Sequence, residues 1–309
     1  MSSNVSKSGR GWPRAAWLFA AVLATSVLQP GVLVAVPLLV LLGLKRIRGT
    51  SVLLVATGAM LLAIVGPRDS LWFVERAWAL MIGGLFVSVT MVRPQWALST
   101  RSLVSVLASA VFSTLMLSVQ GTAWFAIDWI MTDRLRAGFA TWMDAMVVLR
   151  QGEAVSPALA SAIYQMVEAQ TAVFPAMIGL QSMAALGVAW WLYNRVVRGS
   201  DHGVGPLGPF RFNDHLVWFM IVGLLLLATS AGSALTRVGA NLTVFMGALY
   251  ALRGVGVVLF VSGGLSLFSY SMFALGFLFA APVVVGFAVL IGMADTWLDL
   301  RARAGELAA

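Results

Sequence analysis

The sequence predicts an all-α fold, a polytopic transmembrane bundle of about eight or nine spans, and three observations lead there. Hydrophobic residues make up 60% of the chain and charged residues only 10%, against roughly 25% charged in ordinary soluble domains. No Asp, Glu, Lys or Arg occurs from Gly254 through Ala294, a run about twice the ~20 apolar residues that cross a bilayer core. The basic residues behind the net charge of +8 punctuate the apolar runs instead of forming one patch, as expected where they set orientation by the positive-inside rule. A nucleic-acid partner is therefore not expected, because the basic residues form no continuous patch with interleaved aromatics.

The elements follow in order. Residues 1–13 form a basic tail read as cytoplasmic, and residues 14–130 the N-terminal transmembrane helices. Lys7, Arg10 and Arg14 precede an apolar run that continues uncharged through Leu44, so an uncleaved anchor is expected. One helix over 15–44 would measure about 45 Å. That is too long for ~30 Å of hydrocarbon, and Gln29-Pro30-Gly31 divides it into two short helices. Lys45, Arg46 and Arg48 mark a cytoplasmic turn, 50–65 a third span, Gly66-Pro67-Arg68-Asp69 an outer turn and 71–92 a fourth span. A fifth begins at Leu103 and runs to Ala123 or beyond, where Trp124 and Trp129 suggest an aromatic belt.

Residues 131–170 differ in kind, because Asp133, Arg134, Arg136, Asp144, Arg150, Glu153 and Glu168 interrupt every apolar window. They are expected outside the lipid core as two amphipathic interfacial helices between spans five and six. Leu135, Phe139, Trp142, Met143 and Met146 share one face of the first. Ser156-Pro157 supplies an N-cap and a proline at N1 for the second, with Leu159, Ile163, Met166 and Val167 on its apolar side. Residues 171–294 hold the C-terminal spans, read at 169–193, 216–235, 238–261 and 272–293, and 295–309 form the tail. A Gly/Pro-rich loop over 199–215 reads as cytoplasmic, and nine crossings then place Arg301 and Arg303 outside, against the charge rule. One crossing is therefore miscounted, or one element is re-entrant.

Several chemistries are excluded. Without cysteine there are no disulfides, thiolate sites or cysteine nucleophiles. His202 and His215 are too few for imidazole cages, so no metal and no cofactor is expected. No HExxH, GxSxG or intramembrane aspartate pair is present, and no catalytic residue is assigned.

Arg253 is the most informative residue, since a charge at mid-helix costs about 2.5 to 3.5 kcal/mol on insertion scales and normally faces a partner or a wet cavity. It reads either as a ligand or proton-path cation, or as half of a structural ion pair or an arginine snorkelling to the interface, with Glu75 and Asp295 as candidate partners. Gly247, Tyr250 and Gly254 share a face of the same span, allowing close helix packing or a pocket lined by Tyr250 and Arg253. Asn241 can bridge helices. The candidate ligand set is thus Arg253, Tyr250, Asn241 and Glu75. Ala16, Ala20 and Ala24 make a smooth ridge suited to a partner helix. Asp295, Asp299 and Arg303 form a stripe at the C-terminal end, where Trp297 and Arg301 can make a cation-π pair. Asn213 or Asp214 is expected to cap the helix that follows.

Val36-Pro37-Leu38 leading to Lys45-Arg46-Ile47-Arg48-Gly49, Pro209-Phe210-Arg211-Phe212-Asn213-Asp214, Asn241 with Tyr250 and Gly254, and Gly292-Met293-Ala294-Asp295 through Asp299-Leu300-Arg301 together resemble the YybS-like family of predicted bacterial membrane proteins. That family, whose activity is unassigned, is similar at greater distance to the substrate-binding S components of energy-coupling-factor transporters and to the rod-shape protein MreD. In S components an Ala-x-x-x-Ala ridge on the first helix docks the coupling subunit, and Ala16 and Ala20 match that spacing. The chain departs by its larger span count and by Arg253, where an uncharged polar residue is expected. The resemblance implies a multi-pass, non-enzymatic protein of the bacterial inner membrane with the lipid bilayer and another integral membrane protein as partners. A small-molecule binding or uptake subunit is the leading expectation, and a cell-envelope or cell-shape scaffold without a ligand the alternative.

Overall fold

The computed structural model describes residues 72–119, 123–149, 156–197, 207–208, 210–229, 232–263 and 267–308. Eight α-helices follow in order among them: α1 Trp72–Val92, α2 Leu98–Val119, α3 Ala123–Leu149, α4 Pro157–Val197, α5 Val217–Ala228, α6 Ser233–Val261, α7 Leu267–Leu298 and α8 Leu300–Ala308. A 3-10 turn, Asp214–Leu216, leads into α5. No strand occurs among the described residues. Five segments are long and apolar enough to cross a membrane: Val74–Val92, Leu98–Val119, Pro157–Asn194, Ala234–Val261 and Leu275–Leu298. The first three predicted spans lie outside the described residues.

Two expectations are corrected. Six spans were expected from residue 71 onward, and five are found, because the run read as 216–235 does not form one helix. Its helix, α5, has 12 residues, about 18 Å at 1.5 Å per residue. Gly232 then takes φ 99°, a left-handed backbone that glycine adopts without a Cβ penalty, and α6 starts one residue later. Hydropathy sums across that turn without seeing it. The second correction concerns the surface helix expected from Pro157, which is continuous with the sixth span as one 41-residue helix. Its start is as read, with Leu159 N–H donating to Ser156 Oγ at 3.3 Å. Nothing between residues 157 and 174 ends it, since neither glycine nor proline occurs there after the first position. In α3, Leu135, Phe139, Met143 and Met146 are half-buried while the opposite face is exposed, the amphipathic pattern expected; Trp142 is exposed.

The chain forms two packing units. One contains α1, α2, the start of α3 and the last part of α4. Ala79, Ile82 and Phe86 bury one face of α1, and Ser102, Ser105 and Ser109 repeat at helical spacing on the buried face of α2. Small side chains let helix backbones approach, which in lipid replaces the hydrophobic drive available in water. On α4, Ser182, Ala185, Leu186 and Ala189 are buried, and Ser182 Oγ accepts from Trp78 Nε1 at 2.9 Å. Trp190 meets the Phe86 ring edge-on at 6.2 Å and lies 4.3 Å beneath the Arg101 guanidinium.

The other unit holds the rest of α3 and α4 together with α5 to α8. Helices α6 and α7 touch backbone to backbone. A Cβ on Gly254 would run into the Ala288 carbonyl, and one on Gly292 into the Tyr250 carbonyl. Glycine is required at that crossing because the obstacle is main chain and cannot rotate away. Along α7, Leu278, Phe279, Phe287 and Leu290 remain exposed. Water would penalise that surface by ~25 cal/mol per Å², whereas lipid does not.

Candidate functional site

The site is built where α6, the end of α7, α8 and the segment before α5 meet. Arg253 is 1% exposed. Its Nε donates to Asp295 Oδ2 at 2.9 Å, its Nη1 to Asp214 Oδ1 at 2.5 Å, and its guanidinium lies 5.4 Å from the Phe212 ring centre. Asp295 is itself buried. Beside it, Arg301 is 5% exposed and donates from Nη2 to the carbonyls of Phe210 at 3.0 Å and Arg253 at 3.3 Å. Arg301 Nε lies 3.8 Å from the same Asp295 oxygen that Arg253 holds. At the rim, Arg211 pairs with Asp299 and lies 3.9 Å from Asp295 Oδ1. Tyr250 is fully buried, with its ring edge-on to Phe212 at 5.1 Å and its hydroxyl beside Thr296.

Local sequence explains this convergence. Asn213 caps the 3-10 turn by accepting from His215 N–H at 3.0 Å, which leaves the Asp214 carboxylate free to reach Arg253. Asp299 takes φ 42°, a conformation that Asp tolerates better than most residues, so α7 stops and α8 departs with Arg301 turned inward. The Asp295–Asp299–Arg303 stripe is broken there, and Arg301 spends its guanidinium on carbonyls while Trp297 stays exposed. The Arg211 hydrogen bond holds the Asp299 carboxyl below the usual carboxylate range. Burial lowers the Arg301 pKa and the Asp295 charge opposes it; a guanidinium remains protonated regardless.

Charge is unevenly distributed. Three arginines, Arg211, Arg253 and Arg301, meet three aspartates, Asp214, Asp295 and Asp299. The fully buried part contains two guanidiniums and one carboxylate, and the balancing charge comes from Asp214, whose side chain is 60% exposed. Four buried atoms of the site have no hydrogen-bond partner among the described residues: Tyr250 Oη, Arg301 Nε, Arg301 Nη1 and Asp295 Oδ1.

The exposed Arg211–Asp299 pair joins the segment before α5 to the turn between α7 and α8. Of the three apolar runs between them, α6 and α7 are long enough to cross a membrane and α5 is not.

Asn241 lies elsewhere, at a proline break in α4. Pro175 has no N–H for the Thr171 carbonyl, and its ring displaces the next helical bond. From α6, Asn241 fills the gap: its Oδ1 accepts from Ala176 N–H at 2.8 Å and its Nδ2 donates to the Ala172 carbonyl at 2.8 Å. Arg237 donates to the Thr171 and Ala172 carbonyls at 3.1 and 3.3 Å. One side-chain amide thus stands in for the missing peptide contact.

Among known proteins, the family described as "Predicted membrane protein (DUF2232)" matches residues 15–296. The chain belongs to this family. No curated protein and no solved structure matches it. Family membership accords with the five membrane-capable segments and places the chain in a lipid bilayer.

Of the ligand candidates in this DUF2232 chain, Arg253 and Tyr250 come together, and Asp295 supplies the partner suggested for Arg253. Asn241 serves the α4 break instead. Glu75 belongs to the other packing unit and pairs with Arg76 at 3.8 Å. Gly254 makes the close helix approach, whereas Gly247 has nothing within 4 Å of where a Cβ would be. Ala16, Ala20 and Ala24 lie outside the described residues. Sequence reasoning missed Asp214, Phe212, Arg211 and Arg301 as members of one site. The available signal was two adjacent cap-competent residues, Asn213 and Asp214, where one cap suffices.

Proposed function

We propose that this chain is a non-enzymatic, multi-pass subunit of the bacterial inner membrane that binds a small molecule at the Arg253 cluster and docks another integral membrane protein. The YybS-like motifs, and through them the likeness to S components, support this reading. The observation that carries it is a pair of guanidiniums buried at the membrane-spanning helices and closed from outside by one half-exposed carboxylate, Asp214. Charges inside membrane proteins are costly and mark ligand or ion sites by default. The cluster offers fixed hydrogen-bond donors and charge, and it presents no nucleophile held by an oriented base. Binding is the role these groups suit. The ridge Ala16, Ala20 and Ala24 is the proposed docking face.

A ligand that binds only the native protein raises its apparent stability by mass action. Thermal unfolding of the purified protein with a panel of vitamins and nucleobases should therefore give at least one saturable upward shift. A flat response across the panel would refute uptake and favour the envelope or cell-shape scaffold, as would co-purification with cell-wall synthesis proteins. Co-purification with an ATPase pair, lost in Ala20→Leu with membrane insertion intact, is the result expected for docking.

A further inference from the structure

We infer that the Arg253–Arg301 pair is an anion site, taking a carboxylate or phosphate group in place of Asp214. This deepens the binding role proposed above and shares its site, but it rests on its own observations. Arg253 and Arg301 lie 2.9 and 3.8 Å from one Asp295 oxygen, so their guanidiniums are gathered around a single carboxylate. The buried charges there sum to one positive excess until Asp214 is added. Asp214 is the member best placed to leave, being 60% exposed and held on a short 3-10 turn, while Asp295 is fully enclosed. Arg301 meanwhile keeps two buried donors, Nε and Nη1, that no group among the described residues accepts. Unmade donors on a buried cation are costly to leave, and an anion's oxygens satisfy them while carrying the required charge. Guanidinium forks match the paired oxygens of carboxylates and phosphates better than any neutral ligand. Asp214 then acts as a built-in competitor, covering Arg253 Nη1 when the site is empty of external anion.

Two sources carry this chemistry, a soluble anion and the phosphate of a lipid headgroup, and the test separates them. The full-length protein is purified in dodecyl maltoside, which has no phosphate, and its thermal unfolding is followed while inorganic phosphate is titrated against chloride at equal ionic strength. In a second arm phosphatidylglycerol is added to the micelles. A saturable rise in midpoint with phosphate and not with chloride supports a soluble anion. The same rise with phosphatidylglycerol alone supports the site with a lipid occupant and counts against small-molecule uptake. Asp214→Asn removes the competitor and should bring half-saturation to ~10-fold lower concentration, whereas Arg301→Lys keeps the charge, loses the fork and should raise it ~10-fold. Should either variant fail to fold, the wild-type titration still decides. No specific shift from either anion overturns the anion site, and leaves the vitamin and nucleobase panel to judge the broader binding role on its own.

Discussion

If Asn241 repairs the break at Pro175, removing the amide should hurt only while the proline is present. Asn241→Leu keeps the size of the side chain and deletes its contacts to Ala176 N–H and the Ala172 carbonyl. The carbonyl retains Arg237 Nε at 3.3 Å, so the main loss is an unsatisfied N–H in a water-poor setting, about 1–3 kcal/mol. Interhelical side-chain hydrogen bonds in membranes average ~0.6 and reach ~1.7 kcal/mol, which narrows the expectation to about 1–2 kcal/mol. Pro175→Ala restores an N–H for the Thr171 carbonyl and lets Ala176 bond Ala172 directly. The double variant should therefore be less destabilised than Asn241→Leu alone, with a compensating interaction of ~1 kcal/mol or more. Equilibrium unfolding by SDS titration in mixed micelles, read by far-UV circular dichroism, measures all four species. Additivity within ~0.5 kcal/mol would show that the two residues do not share one gap, and the account of this contact would be wrong.

Three further outcomes are expected. Gly254→Ala places a methyl against the Ala288 main chain and should cost ~1–3 kcal/mol or more by forcing the helices apart. Gly247→Ala meets open space and should be neutral or stabilising by up to ~1 kcal/mol; the same SDS titration compares them. Asp295→Leu takes the shared carboxylate from two buried guanidiniums, Arg253 and Arg301, and should cost ~3–5 kcal/mol, whereas Arg253→Met leaves Asp295 beside Arg301 and should cost less. The folded pKa of Asp299 lies below its unfolded value, so its contribution to stability is present above the unfolded pKa and lost as pH falls through the folded one. Unfolding midpoints between pH 7 and 3 should drop below about pH 4 in the wild type, and Asp299→Asn should abolish that part of the fall.

Hydropathy placed α1 and α6 well, whereas α2 runs Leu98–Val119 in place of the span expected from Leu103 to Ala123 or beyond, and α7, Leu267–Leu298, overruns the expected 272–293 and is kinked at Ala280. The expected and observed ends of α6 coincide at Val261, where Ser262 and Gly263 close the run. Failures came where one backbone angle outweighs composition. Gly232 divides a run that looks uniform, and Asp299 turns a stripe that looks continuous. The Arg253–Asp295 contact was legible because few buried charges demand few partners. Membership of Asp214 and Arg301 was not, because contacts across 39 and 48 residues leave no periodic trace in the chain. Asn241 was legible as a bridge but not as a repair. Its meaning depends on Pro175, whose effect on α4 shows only when both helices are seen together.

The charge distribution is what the anion-site proposal rests on. Neutralising Arg253 needs one carboxylate, and Asp295 already provides it at 2.9 Å from full burial. Arg301 brings a second cation into the same enclosure, yet the bonds it makes are to two main-chain carbonyls, which a neutral amide donor would satisfy without the cost of burying charge. A structure selected for stability alone gains nothing from that excess, and replacing buried ion networks by apolar groups is often stabilising. On the anion-site proposal, that excess is what an incoming negative group balances. In the isolated protein that group is Asp214, the one member of the inner set that is solvent-accessible enough to be exchanged.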